Sequence, residues 1–183
     1  LGQAGLDSLH VSLNGPPELH DATRGVPGAF ARAIDGVQRL NRYPGTKLTA
    51  VTTVSRENHD ALEATRAALA AAPARFHEWR IQMLYYVSRT MVERQRAQTD
   101  VPFDVSSLAD EAVLAGVDVE RLAAGLEAVL SAPCPAGVGR ISLAPNVRTA
   151  AELRAYFAAD PERLPGNDAC FEPWQSLAML TDG

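Results

Sequence analysis

What most limits the folds open to this chain is a unit that recurs along it: an apolar β-rich run, a polar turn, then a segment of helical period. SLHVSL, at 8–13, is the first such run. After a polar loop comes PGAFARAIDGVQRLNRY, where Ala29, Phe30, Ala33, Ile34, Val37 and Leu40 share one helical face. KLTAVTTVS and RENHDALEATRAALAAA make the second unit, with Asn58 placed to cap a helix that turns Ala61, Leu62, Thr65, Ala68 and Leu69 inward. EWRIQMLYYV, at 78–87, opens a third and leads into a polar stretch and helical patterns around 108–114 and 119–130. A fourth run, GRISLAPNV, precedes TAAELRAYFAAD, where Thr149 and Glu152 have capping-box spacing.

Strands that alternate with helices pair in parallel through right-handed crossovers, so the expected class is α/β, either a layered sheet or a barrel. The spacing predicts adjacent parallel strands over 8–13, 48–54 and 79–85, with the intervening helices on one outer face. Ligands of such folds sit at the carboxyl ends of the strands. That rule selects 12–24, 52–58 and 82–88 as the functional edge.

With 183 residues, 46% of them hydrophobic, the chain can bury one sizeable core. Its net charge of −5, without a basic stripe or tail, argues against nucleic acid and anionic lipid as partners. No run approaches the roughly 18 apolar residues of a membrane span, and the start lacks the layout of a secretion signal, so a cytoplasmic location is expected. The first residues, LGQAGLDSLHV, read as the last turn of a helix entering a strand, and the final LAMLTDG as a strand arriving at a turn. Both ends are therefore expected to be cuts through a longer protein.

Few residues carry chemistry on local grounds. His20-Asp21 and His59-Asp60 lack further metal ligands at helical spacing, and His20 and Asp21 read as loop-fixing hydrogen-bond partners. Gly137-Val138-Gly139 reads as a turn into the fourth strand, and Trp79 as core packing, with Tyr85 and Tyr86 further along the same run. Neither a nucleophile elbow nor a phosphate-binding loop is visible. Cys134 and Cys170 form no C-x-x-C pair and imply no disulfide framework. After Pro161 the helical period gives way to spaced Pro and Gly, which marks a second module.

HVSLNGPPELHDATRGVPGAFARAIDGVQRL resembles the fourth βα unit of radical S-adenosylmethionine (radical SAM) enzymes, particularly those with an added SPASM or twitch domain. Their strand ends S-(L/I)-D-G, followed by Pro, H-D-x-x-R and a Gly-x-Phe helix entry. The match falls on Ser12, Leu13, Gly15, Pro16, His20, Asp21, Arg24, Gly28 and Phe30, with Asn14 where Asp is usual. LTAVTTVSRENHDAL is similar to the family's fifth strand and its T-V-x-x-x-N helix start, at Thr53, Val54 and Asn58. ACFEPWQSLAMLTDG resembles the entry to the auxiliary domain, through Cys170, Pro173, Trp174, Asp182 and Gly183. The three matches stand in the family's order, and the stretch 91–135 is the part they explain least.

The resemblance implies a partial (β/α) barrel over 1–160 and the beginning of a SPASM-like iron–sulfur domain over 161–183. It implies SAM and a [4Fe–4S] cluster as cofactors, reductive cleavage to a 5′-deoxyadenosyl radical, and hydrogen abstraction from a small-molecule or peptide substrate. The electron comes from a donor such as flavodoxin or ferredoxin. The SAM contacts it implies are Ser12, Asn14, Arg24, Thr53, Asn58, Gln82, Met83 and Leu84, and Cys170 becomes a ligand of an auxiliary [4Fe–4S] cluster. The family's C-x-x-x-C-x-x-C loop and first three strands are not in this sequence, so 1–183 alone is expected to be inactive. Two other readings compete: a non-catalytic α/β interaction module descended from such a barrel, and a barrel hydrolase using His20, Asp21 and Asn58 with a divalent metal.

Overall fold

The computed structural model describes residues 5–84 and 115–158, together with Glu93 and Ala97. In chain order the elements are β1 (Ser8–Ser12), α1 (Pro17–Arg24), α2 (Ala29–Leu40), β2 (Lys47–Val54), α3 (Leu62–Ala71), β3 (Glu78–Met83), α4 (Val119–Ser131), β4 (Ile141–Ala144) and α5 (Ala150–Phe157). The strands form one sheet in the order β1-β2-β3-β4, parallel throughout. The fold is α/β, as the alternating pattern requires.

Strand order decides where the helices go. Each new strand is added on the same side of the last, and right-handed crossovers then place the described connecting helices α2, α3 and α4 on one face. Burial agrees. Leu48, Ala50, Thr52 and Val54 of β2 and Trp79, Ile81 and Met83 of β3 are all buried. They form one core with Phe30, Ile34 and Val37 of α2, Leu62 and Leu69 of α3, Leu122, Leu126 and Val129 of α4, and Leu153 and Tyr156 of α5. The apolar stripes expected for α2 and α3 thus pack inward. Within that core the Trp79 indole N–H donates to Thr52 Oγ1 at 2.9 Å, and the Thr52 hydroxyl donates to the Leu13 carbonyl at 2.7 Å. Every polar atom of that chain therefore has a partner.

Two local expectations are corrected. The segment after Asn14 holds a helix, α1, where a loop is expected. Pro16 and Pro17 fix its start, and Gly25 at φ 64° ends it, with Gly25 and Val26 donating to the Ala22 and Asp21 carbonyls. That is a Schellman closure, with the proline-first, glycine-last asymmetry of helix ends. Asn58 does not cap α3, whose N-cap is Ala61 without a side-chain bond. Its amide is held by strand-end backbone instead.

The expected start signal of α5 holds, and α4 carries one that the sequence reading did not name. Thr149 and Glu152 form the capping box of α5, and Asp118 accepts from the Glu120 and Arg121 amides at the start of α4. Gly137 turns at φ 79° just ahead of Val138, which bridges to Phe76 before β4. Among the described residues no helix is long and apolar enough to cross a membrane. The expected helix at 108–114, Tyr85, Tyr86, the module over 161–183 and Cys170 lie outside the described residues.

Candidate functional site

Register fixes the composition of the face opposite the helices. Ser12 pairs with Val51, Val51 with Arg80, and Arg80 with Ser142, so these four stand in one row across the sheet. One row toward the strand amino ends stand His10, Thr49 and Glu78; two residues the other way stand Thr53, Gln82 and Ala144. This face is mostly polar, with Val51 and Ala144 as its apolar members. Ser8, His10 and Ser12 are exposed and Arg80 and Gln82 partly so, whereas Thr49, Val51 and Glu78 in the middle strands are buried. A parallel sheet sandwiched between helices has apolar strands on both faces, so the polar alternation identifies a face built for something other than helix packing.

At the carboxyl ends, side-chain amides tie the loops together. Asn14 Oδ1 accepts from the Thr53 amide at 3.2 Å, joining the end of β1 to β2. The Asn58 amide nitrogen donates to the carbonyls of Asn14 (2.9 Å) and Thr53 (2.8 Å), while its oxygen accepts from the Ser55 amide at 2.7 Å. Asn58 is 2% exposed, and its hydrogen bonds make it a clamp. His20 and Asp21 anchor the α1 region as the sequence suggests. The Asn14 amide donates to His20 Nδ1 at 3.2 Å, and the Asp21 carboxylate accepts from the Gly28 (2.5 Å) and Phe30 (2.9 Å) amides at the start of α2.

Gly28 sits at φ 73° and has no side chain to cap with, so Asp21 supplies the acceptor from the preceding helix. The amide of Phe30 is the main cause holding the Asp21 carboxyl below its usual value; burial opposes it, and the Gly28 amide adds to the lowering. Burial, then the charge of Arg24, lower the His20 imidazole, with Asp21 acting the other way. A neutral His20 is what an Nδ1 acceptor requires.

In the middle of the polar face lies a carboxylate that sequence reading did not single out. Glu78 is 6% exposed. Oε1 accepts from Arg80 Nε at 3.1 Å and from Ser142 Oγ at 2.5 Å, and Oε2 from Arg140 Nε at 3.1 Å. Burial raises the Glu78 carboxyl, but the bonds from Ser142, Arg140 and Arg80 outweigh it and hold it at about 2. The available signal was the alternation in EWRIQM, which puts Glu78, Arg80 and Gln82 on one face and Trp79, Ile81 and Met83 on the other.

The expected site residues divide by role. Ser12, Thr53 and Gln82 share the polar face at the strand ends. Asn14 and Asn58 hold loops, and Arg24 is exposed in the last turn of α1. Met83 turns a fully buried side chain into the core, and the Leu84 carbonyl accepts from the Tyr156 hydroxyl at 2.9 Å. The metal-hydrolase reading meets a geometric obstacle: the donor atoms that His20, Asp21 and Asn58 use above are engaged with backbone. Among the described residues no three His, Cys, Asp or Glu converge, and Cys134 is an exposed free thiol.

No family model matches the chain. Part of it is similar to the AdoMet-dependent heme synthase of Oleidesulfovibrio alaskensis, 42% identical over 57 residues, which are 31% of this chain and 14% of that protein. The AdoMet-dependent heme synthase of Nitratidesulfovibrio vulgaris is 41% identical over 56 residues, 30% of this chain and 15% of that protein. The similarity therefore spans about a seventh of the length of these curated relatives and joins a parallel α/β sheet to proteins whose names specify AdoMet.

Proposed function

We propose that this chain forms part of a radical SAM enzyme, contributing strands and a strand-end edge to a partial barrel that binds S-adenosylmethionine and an anaerobically reduced [4Fe–4S] cluster. The observation that carries the reading is the partial identity to two AdoMet-dependent heme synthases. The one-way parallel sheet supports it, because its polar face brings Ser12, Thr53 and Gln82 to the strand ends, where ligands of such folds sit.

The residues present fit SAM and do not by themselves fit the cluster. Ser12 offers an exposed hydroxyl for a ribose or carboxylate oxygen. Thr53 and Gln82 extend the same polar edge, and the backbone from Gln82 to Leu84 would flank the adenine. Arg24 would pair with a carboxylate or anchor its loop, while Asn14 and Asn58 keep the edge rigid. Cluster thiolates would come from beyond the described residues, with Cys170 as one ligand of an auxiliary cluster. When both groups are bound, the chemistry they supply is a 5′-deoxyadenosyl radical for hydrogen abstraction, with the electron from a flavodoxin- or ferredoxin-type donor. The heme synthase names of the relatives favour a small-molecule substrate over a peptide.

The complete reading frame that contains this chain, purified and reconstituted without oxygen, is expected to release 5′-deoxyadenosine from SAM under reduction. Ser12→Ala is expected to weaken SAM binding about fivefold, the loss of one hydrogen bond of about 1 kcal/mol. Iron content should fall in Cys170→Ala and hold in Cys134→Ala. A reconstituted protein that neither binds nor cleaves SAM overturns the reading.

A further inference from the structure

We infer that Arg80 and Arg140, held by Glu78 on the polar face of the sheet, form a carboxylate-binding site. A guanidinium has two edges that each present a pair of parallel N–H donors, Nε with Nη2 and Nη2 with Nη1. Glu78 takes the first edge of both arginines. Its Oε1 lies 3.1 Å from Nε and 3.1 Å from Nη2 of Arg80, and its Oε2 lies 3.1 Å from Nε and 2.5 Å from Nη2 of Arg140. The second edge of each remains, since neither Nη1 has a partner among the described residues. The Glu78 side chain is 7% exposed, against 32% for Arg80 and 70% for Arg140, so a sunken carboxylate holds two forks that reach solvent.

Charge points the same way. The trio carries one net positive charge, Lys47 shares the face, and Glu78 is the face's one carboxylate among the described strand residues, in a chain whose net charge is −5. A planar anion with two oxygens matches a guanidinium edge in two parallel bonds. Phosphate sites built from backbone commonly use a helix amino terminus or successive amides, and the described helices α2 to α5 pack into the core across the sheet from the pair. Arg80 stands two strands from Ser12 in the same row, about 10 Å at the usual strand spacing. The carboxylate thus has two sources within reach, the amino-acid end of a ligand at the strand ends or an acidic group on a substrate.

The test is an NMR titration of the full 183-residue chain, with arginine side chains labelled, at constant ionic strength. The probes are succinate, L-methionine and inorganic phosphate. Saturable shifts of the Arg80 and Arg140 Nε–H signals by either carboxylate are expected, and phosphate should bind more weakly. A response to L-methionine alone assigns an amino-acid carboxylate, and to succinate alone a dicarboxylate substrate; either supports the site. Arg140→Gln, which also gives up part of the stabilisation tied to Glu78, should weaken binding about tenfold while the chain remains folded below a lowered melting temperature, and Arg140→Lys, which keeps the charge without the fork, should restore less than half of the affinity. No saturable shift, phosphate binding as tightly as the carboxylates, or unaltered affinity in Arg140→Gln overturns the inference. The radical SAM reading fails separately, on SAM cleavage.

Discussion

Glu78 joins stability to acidity through a single side chain. Its carboxyl is held at about 2 in the folded chain against an ordinary value of 4.5. The unfolded chain therefore takes up its proton first as pH falls, and the stabilisation present above pH 4.5 is lost on descending to about 2. Its upper size is about 3 kcal/mol, at roughly 1.4 kcal/mol per unit. Denaturant unfolding followed from pH 6 to pH 2, about the range of carboxylate titration, should show that descent, and Glu78→Gln should flatten it. A profile of equal steepness in both proteins would remove Glu78 as its cause. Asn58 makes a different prediction. Asn58→Ala leaves the Ser55 amide and the Asn14 and Thr53 carbonyls without their partner, and is expected to cost about 2–4 kcal/mol in urea-induced unfolding. In the sequence Asn58 looked like a helix cap because Asn commonly is one; its bonds to residues 14 and 53 depend on tertiary approach, which no local pattern encodes.

At the scale of elements, α5 offers the cleanest measurement, because its capping box is reciprocal. Thr149 Oγ1 accepts from the Glu152 amide at 3.2 Å, and a Glu152 oxygen accepts from the Thr149 amide at 2.9 Å. Thr149→Ala should destabilise the protein by about 1 kcal/mol, read as a lower thermal midpoint, and Thr149→Ser should recover most of it. This helix was legible because its signal is local. So were the inward stripes of α2 and α3, and β1 and β2, whose ends differ from the expected ones by a residue at most. The helix α1 was less legible because its proline and glycine signals also describe a turn. The face of β3 was written plainly in alternating residues, but its meaning depended on knowing that α2, α3, α4 and α5 pack into the core on the other side. Arg140 was hidden for a further reason: it lies just outside a strand, 62 residues from the carboxylate it meets.

At the scale of the whole sheet, the order β1-β2-β3-β4 means that, among the described residues, each strand pairs only with the strands before and after it. Stability in such an arrangement is distributed by nearest neighbours, much as in a stacked array. The two middle strands are hydrogen-bonded on both sides and carry fully buried Leu48, Val54, Trp79, Ile81 and Met83, whereas β1 and β4 are bonded on one side among the described residues and have no strand residue so completely buried. Opening should therefore begin at the margins. Amide hydrogen exchange is expected to be slowest in β2 and β3, close to the rate set by global unfolding, and faster in β1 and β4 through partial openings that leave the centre intact. Equal protection across all four strands would indicate a single cooperative unit instead. Fraying of this kind would give the polar face a time dimension: the Ser12 end of its central row would breathe on its own while the Arg80 position stayed closed, so two points of one surface would differ in how often they are available to a ligand.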